Sequence, residues 1–371
     1  MAEKGHIKSA EARSFRYESI FAHANFQFCG HIDEYLIANT RRLTLVRFQT
    51  RFGKGGHLLQ RYEEGRLVEE RRLPSARNIF LYYLLWFYHH NRELWRCVHG
   101  TSARTVALFT HPIGCFGMGL QRLLGRVRYA FWVWDWFPPL RLSLKIYAAV
   151  LRFYAKRVDS LYALTPAIAA KIGGTARVAM LGMKRLPCAD IDRSASRCIL
   201  VVGQLRHGQG IEDVLEFMRS HEEYSLSLLG AAAHGFEREI ESRIKEWHLE
   251  GRVTFPNRFV TQDELSSAAA KCFCGLALYD TGADNFTHYA DPGKVKSYLE
   301  MGLPVVMTRI SDIVPYVEKF KAGEVVDSVS ELPTALGRIA ASPQTYTEGV
   351  RAFTSYFDYN EYYNANFGEM E

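Results

Sequence analysis

The stretch Asp291-Pro-Gly-Lys-Val-Lys-Ser-Tyr-Leu-Glu-Met-Gly-Leu-Pro-Val-Val306 contains a loop, a helix and a strand in immediate succession. A Pro-Gly pair is typical of a turn that opens a helix, and Gly302 is typical of a helix end. The unpaired amides at such a helix start attract anions, and Lys294 adds a positive charge in the first turn. The pattern therefore predicts a diphosphate site. An ordinary helix with a surface lysine is the alternative interpretation.

Outward from this stretch, short apolar runs alternate with amphipathic segments of helical length in both halves of the chain. This alternation is typical of a parallel sheet covered by helices, so we predict an α/β protein with two doubly wound domains. We place the domains at 1–185 and 186–342, because 180–197 is polar and contains Gly182 and Pro187. The aromatic tail, 343–371, is expected to pack back on the first domain. Two further runs, 58–62 and 66–73, predict an inserted hairpin.

The composition places the chain among ordered globular proteins. Of its 371 residues, 48% are apolar and 23% are charged, and the net charge of +6 is scattered along the chain. This balance favours anionic small molecules or a membrane surface as partners, and no nucleic-acid-binding signature is recognisable.

The cysteines and the longest apolar run bear on location. Seven cysteines, an odd number, favour a reducing compartment, and Cys272 with Cys274 is expected to be buried in a strand instead of holding a metal. The N-terminus lacks the apolar core of a signal peptide, and 79–88 is too short to span a bilayer. We expect a cytoplasmic protein that can lie at the inner face of the membrane.

The order of residues in the stretch from Asp291 onward resembles the donor-binding helix of GT-B glycosyltransferases. The similarity is greatest to the large retaining family 4, also called glycosyl transferases group 1. The residues that match its motif are Pro292, Lys294, Tyr298, Gly302, Pro304 and Val305. The strand and loop Val201-Val-Gly-Gln-Leu-Arg-His-Gly-Gln-Gly-Ile-Glu212 is similar to a second motif of the family. In the first half the resemblance is confined to 134–139 and 159–166.

This resemblance implies a GT-B fold, with two Rossmann-like domains that face each other across a cleft. It implies transfer of a sugar from a nucleotide-diphosphate-sugar donor to a glycan or lipid-linked acceptor, in cell-surface polysaccharide or glycoconjugate synthesis. Helix amides and basic side chains neutralise the leaving diphosphate in such enzymes, and the chain has no Asp-x-Asp motif. A hexosyltransferase-like reaction without a metal or other cofactor is therefore expected.

The chain departs from the family at four positions. Gln204 and Gln209 stand where the family carries basic residues, and Tyr289 and Ser297 stand where it carries paired glutamates. Arg206 is expected to replace one cation from a shifted position, and Glu300, on a neighbouring part of the helix face, to reach the ribose. The predicted donor-binding residues are Gly203, Arg206, Pro292, Gly293, Lys294, Ser297 and Glu300.

Three residues are candidates for the chemistry at the transferred sugar. Asp135 and His111 follow predicted strands of the first half, where ligand sites of α/β proteins form. If the transfer inverts the anomeric centre, Asp135 is a candidate base for the acceptor hydroxyl; the alternative is that it caps the next helix. His111 is a candidate for contacting the transferred sugar; the alternative is that it only forms hydrogen bonds with the backbone of its loop. Asp291 or Asp284 is expected to approach the sugar from the second half.

The segment 78–98 combines aromatic and aliphatic residues with flanking arginines. It predicts either a core helix or a helix that lies in the interface of an anionic membrane.

Two other classes of function fit the same scaffold. One is a non-catalytic GT-B-like binding subunit, which the missing glutamates favour. The other is a sugar-nucleotide epimerase or hydrolase, which needs no acceptor surface. A nicotinamide dehydrogenase is disfavoured, because neither half has Gly-x-Gly-x-x-Gly after its first strand.

Overall fold

A computed structural model describes residues 14–24, 30–47, 57–119, 126–173, 175–282, 285–368 and 370. The strands of the first half are β1 (Tyr17–Ala24), β2 (Thr40–Arg47), β3 (His57–Glu63), β4 (Arg66–Leu73), β5 (Thr105–Phe109), β6 (Val127–Val133), β7 (Ser160–Ala163) and β8 (Arg177–Val178). The described helices between them are α1 (Ile32–Asn39), α2 (Ile79–His99), α3 (Leu142–Ala155) and α4 (Pro166–Ile172).

These strands form one sheet in the order β4-β3-β2-β1-β5-β6-β7-β8. All neighbours are parallel except β3, which is antiparallel to β2 and β4. Strand β5 is buried along its whole length, as expected for a parallel strand covered on both faces. The predicted hairpin is confirmed as β3 and β4, and both turn residues, Glu64 and Gly65, have the positive φ that a tight hairpin turn requires.

The second half forms a separate six-stranded sheet. Its strands are β9 (Cys198–Val202), β10 (Ser225–Leu229), β11 (Val253–Thr254), β12 (Cys272–Ala277), β13 (Val305–Thr308) and β14 (Gly323–Val326). Its helices are α5 (Ile211–Ser220), α6 (Phe236–Glu246), α7 (Gln262–Ala269), α8 (Gly293–Glu300), α9 (Val314–Phe320) and α10 (Leu332–Ala341).

The strand order β11-β10-β9-β12-β13-β14 is that of a doubly wound sheet, with every neighbouring pair parallel. The order reverses between β9 and β12, and in the first sheet the chain likewise winds outward from the β1/β5 pair. Ligands of open parallel sheets bind beyond the carboxyl ends of strands at such reversals. Cys272 and Cys274 are both buried in β12, as predicted.

The tail folds into two helices, α11 (Pro343–Tyr356) and α12 (Tyr359–Asn366), which pack on different domains. We expected all of 343–371 on the first domain. Instead, α11 packs on the second sheet, because Val350 and Phe353 lie on one face of the helix and are buried there. Only α12 and the residues after it reach the first core, where the ring of Phe367 lies 5.1 Å from that of Trp132.

A buried ion pair fastens the segment between the two sheets to α8. The carboxylate of Asp291 lies 2.7 Å from Lys296 Nζ, and the two side chains are 0% and 4% exposed. The backbone amide of Leu181 donates to Asp291 Oδ2 at 2.8 Å, and Lys296 Nζ donates to the carbonyl oxygen of Leu181. This position differs from our expectation that Asp291 approaches the transferred sugar, because the carboxylate is enclosed by the linker and α8.

No helix in the described ranges is long and apolar enough to cross a membrane, and this includes the 21-residue α2.

Replacing Lys296 by methionine should lower the free energy of unfolding by about 3–5 kcal/mol, because the Asp291 carboxylate is left buried without its partner. Chemical denaturation monitored by circular dichroism measures this. The exposed Lys271, which lies just before β12, provides a matched control, and Lys271→Met should change stability by less than about 0.5 kcal/mol. Equal effects of the two substitutions would contradict the anchoring role of the pair.

Candidate active site

Lys294 lies in the first turn of α8, beside the carboxyl ends of β9 and β12. Helix α8 begins after Pro292 without a side-chain cap, so its first backbone amides are available to a ligand. Lys294 Nζ lies 3.5 Å from Gln209 Oε1 and 5.2 Å from the centre of the Tyr279 ring. The α-carbon of Gly203 adjoins the lysine stem, since a β-carbon there would lie 3.8 Å from Lys294 Cε.

Two positively charged side chains lie close together at this position. Burial and the nearby Arg206 guanidinium lower the pKa of Lys294 to about 8, and no carboxylate of the described chain contributes to the shift. Two cations beside unpaired helix amides form a site for an anion with more than one charge. The predicted residues Gly203, Arg206, Pro292, Gly293 and Lys294 are therefore brought together.

Glu300 and Ser297 lie on another part of the α8 surface, where they line a cavity between the two sheets. The cavity has a volume of about 710 Å³, within the range of small-ligand sites. The start of α1, the ends of β2 and β3, the linker and the start of α7 provide its other walls. Its polar lining residues include His31, Arg47, Gln60, Lys184, Gln262 and Ser297.

The Glu300 carboxylate joins the two domains at this cavity. Glu300 Oε1 accepts a hydrogen bond from the Lys184 amide and lies 2.9 Å from His31 Nε2. The other ring nitrogen of His31 lies 2.9 Å from Glu34 Oε1. Burial disfavours the charged form of His31, but its hydrogen bonds to Glu300 and Glu34 raise its pKa above the usual value. A ribose bound by Glu300 would therefore also meet the His31 ring.

The first domain contributes His111 and Asp135, which follow β5 and β6. The His111 ring lies 5.8 Å from the Tyr147 ring. Burial raises the pKa of Tyr147, and the charge of Asp135 raises it further. Desolvation also raises the pKa of Asp135, whereas burial lowers that of His111 to about 4, so the imidazole is neutral at pH 7. Helix α3 has Arg141 as its N-cap, so Asp135 does not cap it.

Aromatic contacts connect the acidic and basic sides of the cleft. The Phe137 ring, two residues after Asp135, lies 6.2 Å from that of Phe286 in the second domain. The Arg206 guanidinium lies 6.0 Å from the same Phe286 ring. The two sides therefore face one space between the sheets. Asp284, the other predicted carboxylate, lies outside the described residues.

A cluster of buried histidines behind His111 was not predicted from the sequence. The rings of His23 and His90 lie 4.6 Å apart, and Trp86 lies between this pair and His111, with a ring distance of 5.5 Å to His111. Burial lowers the pKa of His90 to about 3 and, with the charge of His89, that of His57 to about 4. The cluster is therefore uncharged near pH 7 and lies behind His111. His23, His57 and His90 are far apart in sequence, so no local pattern connects them.

His31, Tyr147 and Tyr279 were also missed as site residues. His31 follows Gly30 at the start of α1, and a glycine before a predicted helix is a signal that could have been used. Tyr147 and Tyr279 lie within ordinary helix and strand patterns and give no such signal.

Comparison with known proteins agrees with this architecture. Residues 234–365 match the family model described as Glucosyltransferase 3-like, C-terminal domain. No curated protein matches the chain.

Several solved structures are similar over almost the whole chain. Sucrose-phosphate synthase from Thermosynechococcus elongatus has a TM-score of 0.66 and 13% identity, covering 95% of this chain and 98% of that one. Anabaena HepE in complex with UDP has a TM-score of 0.65 and 14% identity, with the same coverage. A mutant of TarM from S. aureus in complex with Fondaparinux, alpha-GlcNAc-glycerol and UDP has a TM-score of 0.57 and 10% identity, covering 93% and 84%. The chain therefore has the GT-B fold that its sequence resemblance predicted, and its residues 234–365 are similar to the C-terminal domain of Glucosyltransferase 3-like proteins.

Proposed function

We propose that this protein is a glycosyltransferase that moves a sugar from a nucleotide-diphosphate-sugar donor to a glycan or lipid-linked acceptor. The observation that carries the proposal is the pair of cations, Lys294 and Arg206, beside the uncapped start of α8. The proposal is supported by a protein of similar fold, HepE, which is described in complex with UDP and with UDP and glucose.

In this proposal the donor lies along α8. The diphosphate contacts Lys294, Arg206 and the backbone at Gly203 and Gly293, with Pro292 setting the direction of the helix start. The ribose extends toward Ser297 and Glu300, which line the 710 Å³ cavity. No metal is assigned a role, because two cations and helix amides already oppose the charge of the leaving diphosphate.

The acceptor lies against the first domain. Asp135 is the proposed base for the acceptor hydroxyl, because desolvation raises its pKa and makes it a better proton acceptor. His111, held neutral by burial, is proposed to contact the transferred sugar. Asp291 is assigned no role in this chemistry, because its carboxylate is buried in the ion pair with Lys296. The reaction is proposed to take place in the cytoplasm and to serve synthesis of cell-surface polysaccharides or glycoconjugates.

A non-catalytic binding subunit is the second candidate, and the position of Tyr289 favours it. Tyr289 replaces one of the paired glutamates, and its carbonyl oxygen accepts a hydrogen bond from Thr165 Oγ1 of the first domain at 3.0 Å. The residue therefore joins the domains.

An epimerase or hydrolase remains the third candidate. Donor turnover with and without acceptor, each with and without a chelator, separates the three, and the proposal requires acceptor-dependent turnover that the chelator leaves unchanged.

A thermal-shift panel of uridine, guanosine, adenosine, cytidine and thymidine diphosphates tests the donor site. One nucleotide class should raise the unfolding midpoint, because a ligand that binds only the folded state stabilises it. Lys294→Ala should weaken that binding roughly ten- to hundredfold, since a hydrogen bond to a charged group contributes about 1.5–3 kcal/mol. Lys271→Ala, at the other end of β12, should bind like wild type. The absence of a shift with all five nucleotides would overturn the proposed donor site.

The affinity for the same nucleotide should depend on pH. The diphosphate binds the protonated form of Lys294, whose pKa in the free protein is about 8. The dissociation constant should therefore be flat below pH 7 and should rise about tenfold per pH unit above 8. Lys294→Arg keeps its charge at high pH and should flatten the profile. Calorimetry between pH 6.5 and about 9.5 measures it. A wild-type profile as flat as that of the arginine variant would show that Lys294 does not contact the ligand.

A further inference from the structure

The outer face of α2 is apolar, although α2 already has a separate buried face. Tyr82, Trp86, His90 and Leu94 pack toward the first sheet. The opposite face exposes a group of large apolar side chains, with Phe80 76% and Tyr88 54% exposed. The other members are Ile79, Leu81, Tyr83, Leu84, Phe87 and Trp95. Monomeric proteins rarely expose contiguous apolar groups of this kind, so the face indicates an interaction surface.

Helix α3 continues this surface on the same side of the first sheet. Leu142, Ile146 and Phe153 are 74%, 56% and 49% exposed. The two helices are connected through His111, whose ring contacts Trp86 of α2 and Tyr147 of α3. Phe116 also packs against Tyr154 of α3. We call the exposed side chains of 79–95 and 140–157 the apolar face.

The exposed charges within 74–99 and 140–157 are all positive. Arg141, Lys145 and Arg152 are exposed on or beside α3, followed by Lys156 and Arg157. Between 140 and 157 the sequence contains no acidic residue. Between 74 and 99 it contains one, Glu93, which is 0% exposed.

Glu93 does not weaken this positive field at the surface. Its carboxylate is enclosed by four arginines, with nitrogens of Arg61, Arg71, Arg96 and Arg92 at 2.7, 2.8, 3.2 and 3.8 Å. Two aromatic side chains of the face also lie beside cations. The Arg157 guanidinium is 3.6 Å from the centre of the Phe153 ring, and that of Arg92 is 6.0 Å from the Tyr88 ring.

We infer that the apolar face binds the surface of an anionic lipid bilayer, with α2 and α3 lying in the plane of the headgroups. Aromatic and aliphatic side chains would enter the boundary between headgroups and acyl chains, while the cations contact lipid phosphates. A second copy of the chain fits less well, because a symmetric contact would bring two sets of like charges together.

This orientation places the acceptor side of the cleft next to the bilayer. His111, the proposed sugar contact, connects the two helices that form the face. A lipid-linked acceptor could then remain in the bilayer while its polar end reaches the cleft.

Vesicle co-sedimentation of the full chain tests the inference. Wild type should bind vesicles of phosphatidylcholine with phosphatidylglycerol, and bind pure phosphatidylcholine at least about tenfold more weakly, because each basic residue near an anionic surface contributes about 1 kcal/mol. High salt should reduce binding to the anionic vesicles. Equal binding to both kinds of vesicle, or no binding to either, would overturn the inference.

Variants separate the apolar and charged contributions. Phe80→Ser with Phe87→Ser, and Arg141→Glu with Lys145→Glu, should each lower binding to anionic vesicles by at least about tenfold. Phe259, on the second domain, is 76% exposed like Phe80, so Phe259→Ser is a matched control that should bind like wild type. All these side chains are exposed, so the unfolding midpoints without vesicles should match.

Two results would contradict the assignment of this face. One is unchanged vesicle binding by the Phe80 and Phe87 double variant. The other is a wild-type dimer in light scattering that the same double variant converts to monomer, which would show that a second copy covers the face. Neither result bears on the donor site, because nucleotide binding is measured without vesicles.

Discussion

The ion pair between Asp291 and Lys296 is the constraint on which the relation of the two domains depends. Burying two charges is unfavourable unless they are paired and hydrogen-bonded, and here the Leu181 amide donates to Asp291 Oδ2 while the Leu181 carbonyl accepts from Lys296 Nζ. The linker is thereby fixed to α8 at one point. Because α8 begins directly after Asp291, the same contact fixes the helix start and Lys294 relative to the first sheet. A residue that resembled a catalytic carboxylate in the sequence is thus the anchor of the site.

The two sides of the resulting cleft carry different charges. The second domain offers two cations, Arg206 and Lys294, and burial together with the charge of Arg206 lowers the pKa of Lys294. The first domain offers a neutral imidazole and a carboxylate with a raised pKa. An anionic group is therefore attracted to α8, while a proton can be accepted on the opposite side. His31 and Glu300 connect the two sides at the cavity, where each is bonded across the domain boundary.

Different helices cover the two faces of the first sheet. Helix α1 and the C-terminal helix α12 lie together, and Tyr363 OH donates to the carbonyl oxygen of Gly30 while accepting from the Gly182 amide. That side is closed by the chain itself. The other side carries α2 and α3, whose outer apolar face is left uncovered by the described chain. The buried histidines lie beneath it, and burial keeps the pKa of His23 and His90 low, so this layer carries no charge near pH 7.

The sequence by itself determined the alternation of strands and helices, the hairpin and the buried cysteines of β12, and it predicted the anion site at Lys294. These features depend on local periodicity, turn residues and helix ends, and each of these patterns involves residues that are close together in the sequence. Tertiary structure alone decided that Asp291 pairs with Lys296, that α11 and α12 pack on different domains, and that His31 meets Glu300. The last two depend on surfaces that chain segments far apart in sequence bring together. Asp291 and Lys296 are close in sequence, but their pair is completed by hydrogen bonds to the distant Leu181. The burial that sets the pKa of a side chain, and the partner that satisfies it, exist only after the two sheets have packed.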